Sequence, residues 1–473
     1  HQGGGEFRVA EFFSGIGGMH CALQLLRQLV GEREFSYRIA GAFDVNNIAN
    51  SVYERNFPGV RVCTTSLDSI GLARIRALAA NLWLMSPPCQ PFSRLGNRRG
   101  LDDVRCRPLL RLLEVLASLP DNERPSRLLL ENVQGFEASP AAERLLECLN
   151  KCGFEYRQLL LSPLQFGVPN SRLRFYLLAW RPGAPEPAAA RLLPANCLID
   201  RPPSAATSQP LLPSCCCPVC SGRLQPGQLT HDSHLRCYRP FARPLSDYLS
   251  PGADAEPELY LTSRQLEQFF PVLDIRQPRS RATCCFTKGY GKRVEGTGSV
   301  LQTRRLAFGK PSHDRVKAGA CPPRTHGEVS HADSAAAAID ASCSSLAPDD
   351  LSDDDINNGE FVDSAGGSGD AETMQAYAES LGLRYFSAAE VAGLMHFPPG
   401  YSFSTSLCLS RRQAYQLLGK QRQCAGHCSP AVLPAAVLVF QIYTELVNKP
   451  GISEISIQLF RFSSIRTSIL ITI

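Results

Sequence analysis

The chain has 473 residues, enough for one large domain with insertions or for two to three domains, and its 44% hydrophobic and 20% charged content is a globular balance that excludes a disordered or fibrous protein. Its longest apolar stretch, Ala431 to Tyr443, is broken by Pro434 and Gln441 and falls short of the ~20 residues a membrane span requires, so no membrane partner is expected. Formal charge is +5; nineteen cysteines behind a start with no apolar leader read as reduced thiols, which argues against secretion and a disulfide framework.

Residues 7 to 181 alternate short apolar runs with helix-like segments, the pattern of an α/β domain with a mostly parallel sheet. Strands are expected at Phe7 to Phe13, Tyr37 to Phe43, Leu82 to Ser86, Leu128 to Glu131, Tyr156 to Leu161 and Arg174 to Trp180. Leucine spacing predicts helices over Pro108 to Leu119 and Ala141 to Cys152. From Pro182 to Pro218 the composition turns to Pro, Ala and Arg, an irregular connection, and a smaller, less regular domain follows over Gly222 to Lys317. Residues 318 to 372 are rich in Ala, Ser, Asp and Gly and cannot bury enough apolar surface to offset ordering, so a disordered linker is expected. Its last part, Asp349 to Glu372, carries nine acidic and no basic residues. The rest of the chain then holds 49 basic against 35 acidic side chains, a net +14 that points to a polyanionic partner. Helices over Ser387 to Met395 and from about Ser410 close the regular part.

Four motifs carry chemistry. The first strand ends in Phe13-Ser14-Gly15-Ile16-Gly17-Gly18, where glycines allow a tight turn and a close backbone approach to a ligand. The second ends in Asp44, a carboxylate able to accept hydrogen bonds from ribose hydroxyls; the alternative is a glycine turn that merely closes a βα unit. Leu82 to Met85 runs into Ser86-Pro87-Pro88-Cys89-Gln90-Pro91, where prolines stiffen a loop that presents a thiol, as a nucleophile would be presented rather than a packing cysteine. Leu128-Leu129-Leu130-Glu131-Asn132-Val133 ends an apolar strand in a carboxylate that is costly to bury without a role, or else caps the next turn. In Gln165 to Tyr176, Arg172 and Arg174 share one face of an extended segment and can enter one site, with a solvated edge strand as the alternative.

These motifs, in this order, resemble the cytosine-5 methyltransferase family over residues 7 to 181 and 383 to about 419. Cys284-Cys285-Phe286-Thr287-Lys288-Gly289-Tyr290, followed by Glu295-Gly296-Thr297-Gly298-Ser299, resembles the target-recognition segment of the branch that methylates tRNA at an anticodon-loop cytosine of aspartate tRNA. The resemblance implies a Rossmann-like fold that uses S-adenosylmethionine, held by Phe13 to Gly18, Asp44, Val45, Leu67 and Asp68. It implies Cys89 adding to cytosine C6, Glu131 at N3 and the exocyclic amine, and Arg172 and Arg174 holding the flipped nucleotide. Gln90, Asn132, Cys285, Thr287, Lys288 and Tyr290 are the implied substrate contacts. The domain reading is then 7–181 catalytic, 182–317 insertion and target recognition, 318–372 linker, 373–445 return to the catalytic domain, and 446–473 an atypical tail.

Two features lie outside that pattern. Cys215, Cys216, Cys217, Cys220, His231, His234 and Cys237 have a spacing that could close a zinc site, but the family pattern lends it no support and a surface insertion is preferred, so no metal is expected. After Gly419 the family continues with Asn-Ser where this chain has Lys420-Gln421, which predicts weaker cofactor binding. The reading is therefore a monomeric tRNA cytosine-5 methyltransferase of the cytoplasm, with the nucleus as a second compartment. A DNA cytosine-5 methyltransferase with the same catalytic residues, or an RNA-binding protein of weak activity, are the alternatives.

Overall fold

The computed structural model describes residues 6–33, 35–88, 106–183, 198–199, 238–304, 376–403 and 409–419. Cys89 and Gln90, the Cys/His cluster, the acidic run and everything from Lys420 lie outside these residues. Eight strands, β1 (Phe7–Phe12), β2 (Tyr37–Phe43), β3 (Val62–Cys63), β4 (Leu82–Met85), β5 (Arg127–Val133), β6 (Glu155–Leu161), β7 (Arg174–Trp180) and β8 (Leu198–Ile199), form one sheet in the order β3-β2-β1-β4-β5-β7-β6-β8. The pairs β1/β2, β2/β3, β1/β4 and β4/β5 are parallel, while β7 runs antiparallel to both β5 and β6. Strands covered on both faces read as continuous apolar runs rather than alternating ones, which is why Leu82-Trp83-Leu84-Met85 is buried throughout.

Helices α1 (Gly18–Val30), α2 (Asn47–Asn56), α3 (Leu72–Leu78), α4 (Arg107–Ser118) and α5 (Pro140–Lys151) pack around the sheet. The two helices expected from leucine spacing are α4 and α5, each displaced by one residue. On α4, Leu109, Leu112, Leu113 and Leu116 recur at helical intervals and are buried. Helix α5 begins where Pro140 occupies the first turn and the Ser139 hydroxyl accepts the Ala142 N–H, so its start is written in the sequence.

The second unit consists of short 3-10 turns, helix α6 (Ser263–Phe269) and a three-stranded sheet. Its strands are β9 (Ile275–Arg276), β10 (Val300–Gln302) and β11 (Leu383–Tyr385), and β11 pairs antiparallel with β10. Here the domain reading needs correction: residues 383 to 385 complete the small sheet instead of returning directly to the large one. Pairing across more than eighty residues leaves no local signature. Helix α7 (Ala388–Leu394), capped by Ser387 and Glu390 together, and helix α8 (Arg411–Gly419) follow. At the end of α8, a side-chain carbon on Gly419 would overlap the Thr287–Lys288 peptide.

One continuous apolar core joins Ile16, Val52, Tyr53 and Phe57 to Leu245, Phe286, Tyr290, Tyr385, Phe397 and Leu418, so the small unit is seated on α1 and α2. Inside it, Arg384 and Glu390 are 1% and 0% exposed and form a two-pronged ion pair at 2.8 and 2.9 Å, while Glu390 also accepts the N–H groups of Ser250 and Ser387. Removing one member of a buried pair strands the other. Glu390→Ala should therefore lose about 3–5 kcal/mol of stability in urea unfolding; a loss below about 1 kcal/mol would mean that Asp254, which also meets Arg384, suffices alone.

Candidate active site

In an open sheet of this kind a ligand binds beyond the carboxyl ends of the parallel strands, where the strand order reverses. That reversal lies between β1 and β4, and the segments leaving β1, β2, β4 and β5 there are Phe13 to Gly18, Asp44-Val45, Ser86-Pro87-Pro88 and Glu131 to Val133. Because β7 runs the other way, its beginning reaches the same edge: Arg174 stands opposite Val133 in the register.

The glycine loop is shaped by its neighbours. Phe13, Gly15 and Gly17 all have left-handed backbone, with φ of 58°, 54° and 83°. Gly17 has no room for a side chain, since a Cβ would lie 2.7 Å from Phe57 and 2.9 Å from Tyr53 of α2. Among the described residues a Cβ at Gly15 would meet nothing within 4 Å, so none of them fills the space above it. Asp44 accepts the N–H of Gly15 at 2.9 Å on one oxygen and that of Asn46 at 2.8 Å on the other, tying β2 to the loop while each oxygen keeps a lone pair.

S-adenosylmethionine fits this cradle. The Ser14 hydroxyl is buried without a hydrogen-bond partner among the described residues, and Val45 and Ile48 beside Asp44 are 61% and 39% exposed, an apolar ledge for a flat base. The side chain of Leu67 is buried in the core and Asp68 is exposed, so of this pair only Asp68 has a side chain open to solvent.

Glu131, at 1% exposure, has its Oε1 3.7 Å from Arg174 Nε. Next to it, Asn132 Nδ2 donates to the carbonyl of Pro87 at 3.1 Å, two residues before Cys89, and so binds the tip of β5 to the root of the cysteine loop. Arg172, also 1% exposed, donates from Nη1 to Cys285 Sγ at 3.1 Å and to the Phe286 carbonyl at 3.4 Å; Arg174 Nη2 stands 3.9 Å from the same sulfur. Glu131 thus meets Arg174, both arginines meet Cys285, and Asn132 points to the cysteine loop instead. Further along that motif the expectation fails. Tyr290, implied as a substrate contact, is 2% exposed; its hydroxyl donates to the Ser299 carbonyl and accepts the Phe386 N–H, which makes it a core residue. Thr287 is likewise buried and accepts the Gly289 N–H, whereas Lys288 is half-buried.

Beneath the cradle lies a group that motif reading passed over. Tyr53 donates to Glu11 Oε2 at 2.7 Å, and His20 Nδ1 lies 2.9 Å from the Tyr53 hydroxyl while its ring stacks on Phe57. A signal existed: Glu11 interrupts an apolar strand just as Glu131 does.

The family model for C-5 cytosine-specific DNA methylases matches residues 7–198. A tRNA (cytosine(38)-C(5))-methyltransferase of Bos taurus is 36% identical over 63% of this chain and 78% of its own length, and one of Homo sapiens is 31% identical over 87% and 95%. Among solved structures, that of the S. pombe Dnmt2 methyltransferase is similar with a TM-score of 0.58 and 26% identity, covering 93% of this chain and 99% of the other. Fold and cradle define an S-adenosylmethionine-dependent methyltransferase with a Rossmann-like sheet. The chain belongs to the C-5 cytosine methyltransferase family.

Burial pushes the Glu11 carboxyl up to about 8 from 4.5 and pulls the His20 imidazole down to about 3 from 6.5. Folding therefore takes up a proton at Glu11 between about pH 4.5 and 8, and stability falls as pH rises through that window; His20 acts oppositely between about pH 3 and 6.5. Above pH 6.5 only Glu11 remains of the two. Stability to urea should drop on the order of 1–2 kcal/mol from pH 6.5 to 8, and Glu11→Gln should flatten the drop. An equally steep decline in the variant would assign it to other groups.

Proposed function

We propose that this enzyme methylates C5 of a cytosine in tRNA, in the anticodon loop of an aspartate tRNA, through a covalent adduct with Cys89. The observation that carries the tRNA reading is the likeness, across nearly all of the chain, to relatives named for tRNA cytosine methylation. Cytosine C5 is a weak nucleophile. Addition of the Cys89 thiolate to C6 moves electron density to C5, which then takes the methyl group; loss of the C5 proton and of the thiolate restores the aromatic ring. Bound S-adenosylmethionine supplies an electrophilic methyl on a sulfonium. Glu131 engages N3 and the exocyclic amine, favouring the adduct and reading the base as cytosine. The guanidiniums of Arg172 and Arg174, oriented by Cys285, hold the extruded nucleotide, which leaves an unpaired loop at less cost than a duplex. In this reading residues 7–181 are the catalytic body and the small unit receives the RNA, in a monomer working in the cytoplasm and the nucleus. Duplex DNA is the second substrate to consider, because a Dictyostelium discoideum relative named DNA (cytosine-5)-methyltransferase is 32% identical over 76% of its length.

Labelled methyl transfer to total tRNA and to duplex DNA, with base-resolution mapping, decides between them; incorporation into DNA alone would overturn the tRNA reading. Cys89→Ala should abolish turnover and the stable complex with RNA carrying 5-fluorocytosine while leaving cofactor affinity intact, and retained methylation would remove Cys89 from the chemistry. Glu131→Gln should slow the single-turnover rate on the order of a hundredfold or more, and an unchanged rate would count against its role. With a basic excess of +14 outside the acidic run, tRNA affinity should fall steeply with salt; a flat salt dependence would leave phosphate contacts without a part in binding.

A further inference from the structure

The glycine loop is held mostly by itself and by the end of the adjacent strand β2. Ser14 N–H donates to the Phe43 carbonyl at 3.0 Å, Gly15 N–H to Asp44, and Gly17 N–H to the Ser14 carbonyl at 2.9 Å. One bond comes from much farther away: the hydroxyl of Tyr401, 385 positions along the chain, donates to the carbonyl of Ile16. That hydroxyl is aimed by a strap. Asn56 of α2 pairs with Ser402 in both directions, donating to its carbonyl at 3.0 Å and accepting its N–H at 2.7 Å, and the Tyr401 ring packs between Phe397 and Phe403 at centroid distances of 4.4 and 5.4 Å. With Phe13 in a left-handed conformation that L side chains disfavour, the loop keeps its shape only where contacts over-determine it. Rotation of the Ile16–Gly17 peptide would carry the Ile16 carbonyl and the Gly17 N–H in opposite senses and reshape the cradle floor.

We propose that Tyr401 is a positioning residue for the cofactor: its hydroxyl pins the Ile16 carbonyl and keeps Ser14 to Gly17 in the open form that S-adenosylmethionine enters. The inference rests on reading this loop as the cofactor cradle. Loss of the pin lowers the fraction of molecules in the binding-competent form, so the deficit falls on affinity and not on the chemical step. Because the strap issues from the small unit just after β11 and α7, the contact also ties the cradle to the half of the molecule that faces the RNA.

The test uses full-length Tyr401→Phe, which keeps the ring and deletes the hydroxyl. Calorimetry with S-adenosylmethionine should show a Kd raised about three- to tenfold, the change expected for one hydrogen bond. KM for the cofactor should rise in parallel, with kcat at saturating cofactor within about twofold and an almost unchanged Tm. Asn56→Ala, which releases the strap without touching the loop, should move Kd in the same direction. An unchanged Kd in Tyr401→Phe, or a fall in kcat at constant KM, would overturn the proposal, as would a Kd change matched by a large drop in Tm. Gly15→Val separates this from failure of the cradle reading: at a φ of 54° a β-branched residue strains the loop and projects into space that no described residue fills, and either effect should remove cofactor binding where the loop is the cradle. Normal binding by Gly15→Val would refute the cradle; loss there with normal binding by Tyr401→Phe would refute the pin alone.

Discussion

Everything that the site can do depends on the direction of β7. Four parallel segments end at one edge of the sheet and can bring a glycine loop, Asp44, the cysteine loop and Glu131 together, but a fifth parallel strand would begin at the far edge and leave its arginines there. Running β7 antiparallel between β5 and β6 sets Arg174 opposite Val133, and from that register follow the 3.7 Å approach to Glu131 and the shared contact of both arginines with Cys285. One cation 3.7 Å from a carboxylate and a second on the shared sulfur, all almost wholly removed from water, form a cluster whose charges are screened less than on a surface.

How much of this could be read from the chain follows from which interactions are local. Strands such as Leu82 to Met85 and Arg174 to Trp180 were legible because burial on both faces favours apolar runs, and α5 because its cap is written next to its leucines. The direction of β7, the recruitment of residues 383 to 385 into the small sheet and the partnership of Ile16 with Tyr401 are long-range and leave no periodicity behind. Tyr290 shows a different limit. An aromatic residue in a recognition motif suggests contact with a base, yet its neighbours Ser299 and Phe386 take up its hydroxyl from both sides and its ring is walled in by Tyr385 and Tyr415.

Buried polar groups recur within the large-sheet unit. Glu131 and the arginines lie at the edge of the sheet where the parallel strands end, whereas Glu11, Tyr53 and His20 form a compact set under the loop with their hydrogen bonds largely spent on one another. Such a set is costly to remove from water and gains most of its return in definition: a fully partnered network tolerates few alternative packings. Its position below the cradle suits a place where the backbone must be kept in an otherwise disfavoured conformation.

Gly419 carries a last consequence. With no room for even one carbon between the end of α8 and the Thr287–Lys288 peptide, the helix works as a mechanical stop whose seat is backbone against backbone. Two residues back from that seat is Cys285, the sulfur that both arginines meet. The spacing between the last described helix and the arginine pair is thus gauged by the absence of a side chain, and any residue larger than glycine would transmit its own thickness toward the guanidiniums.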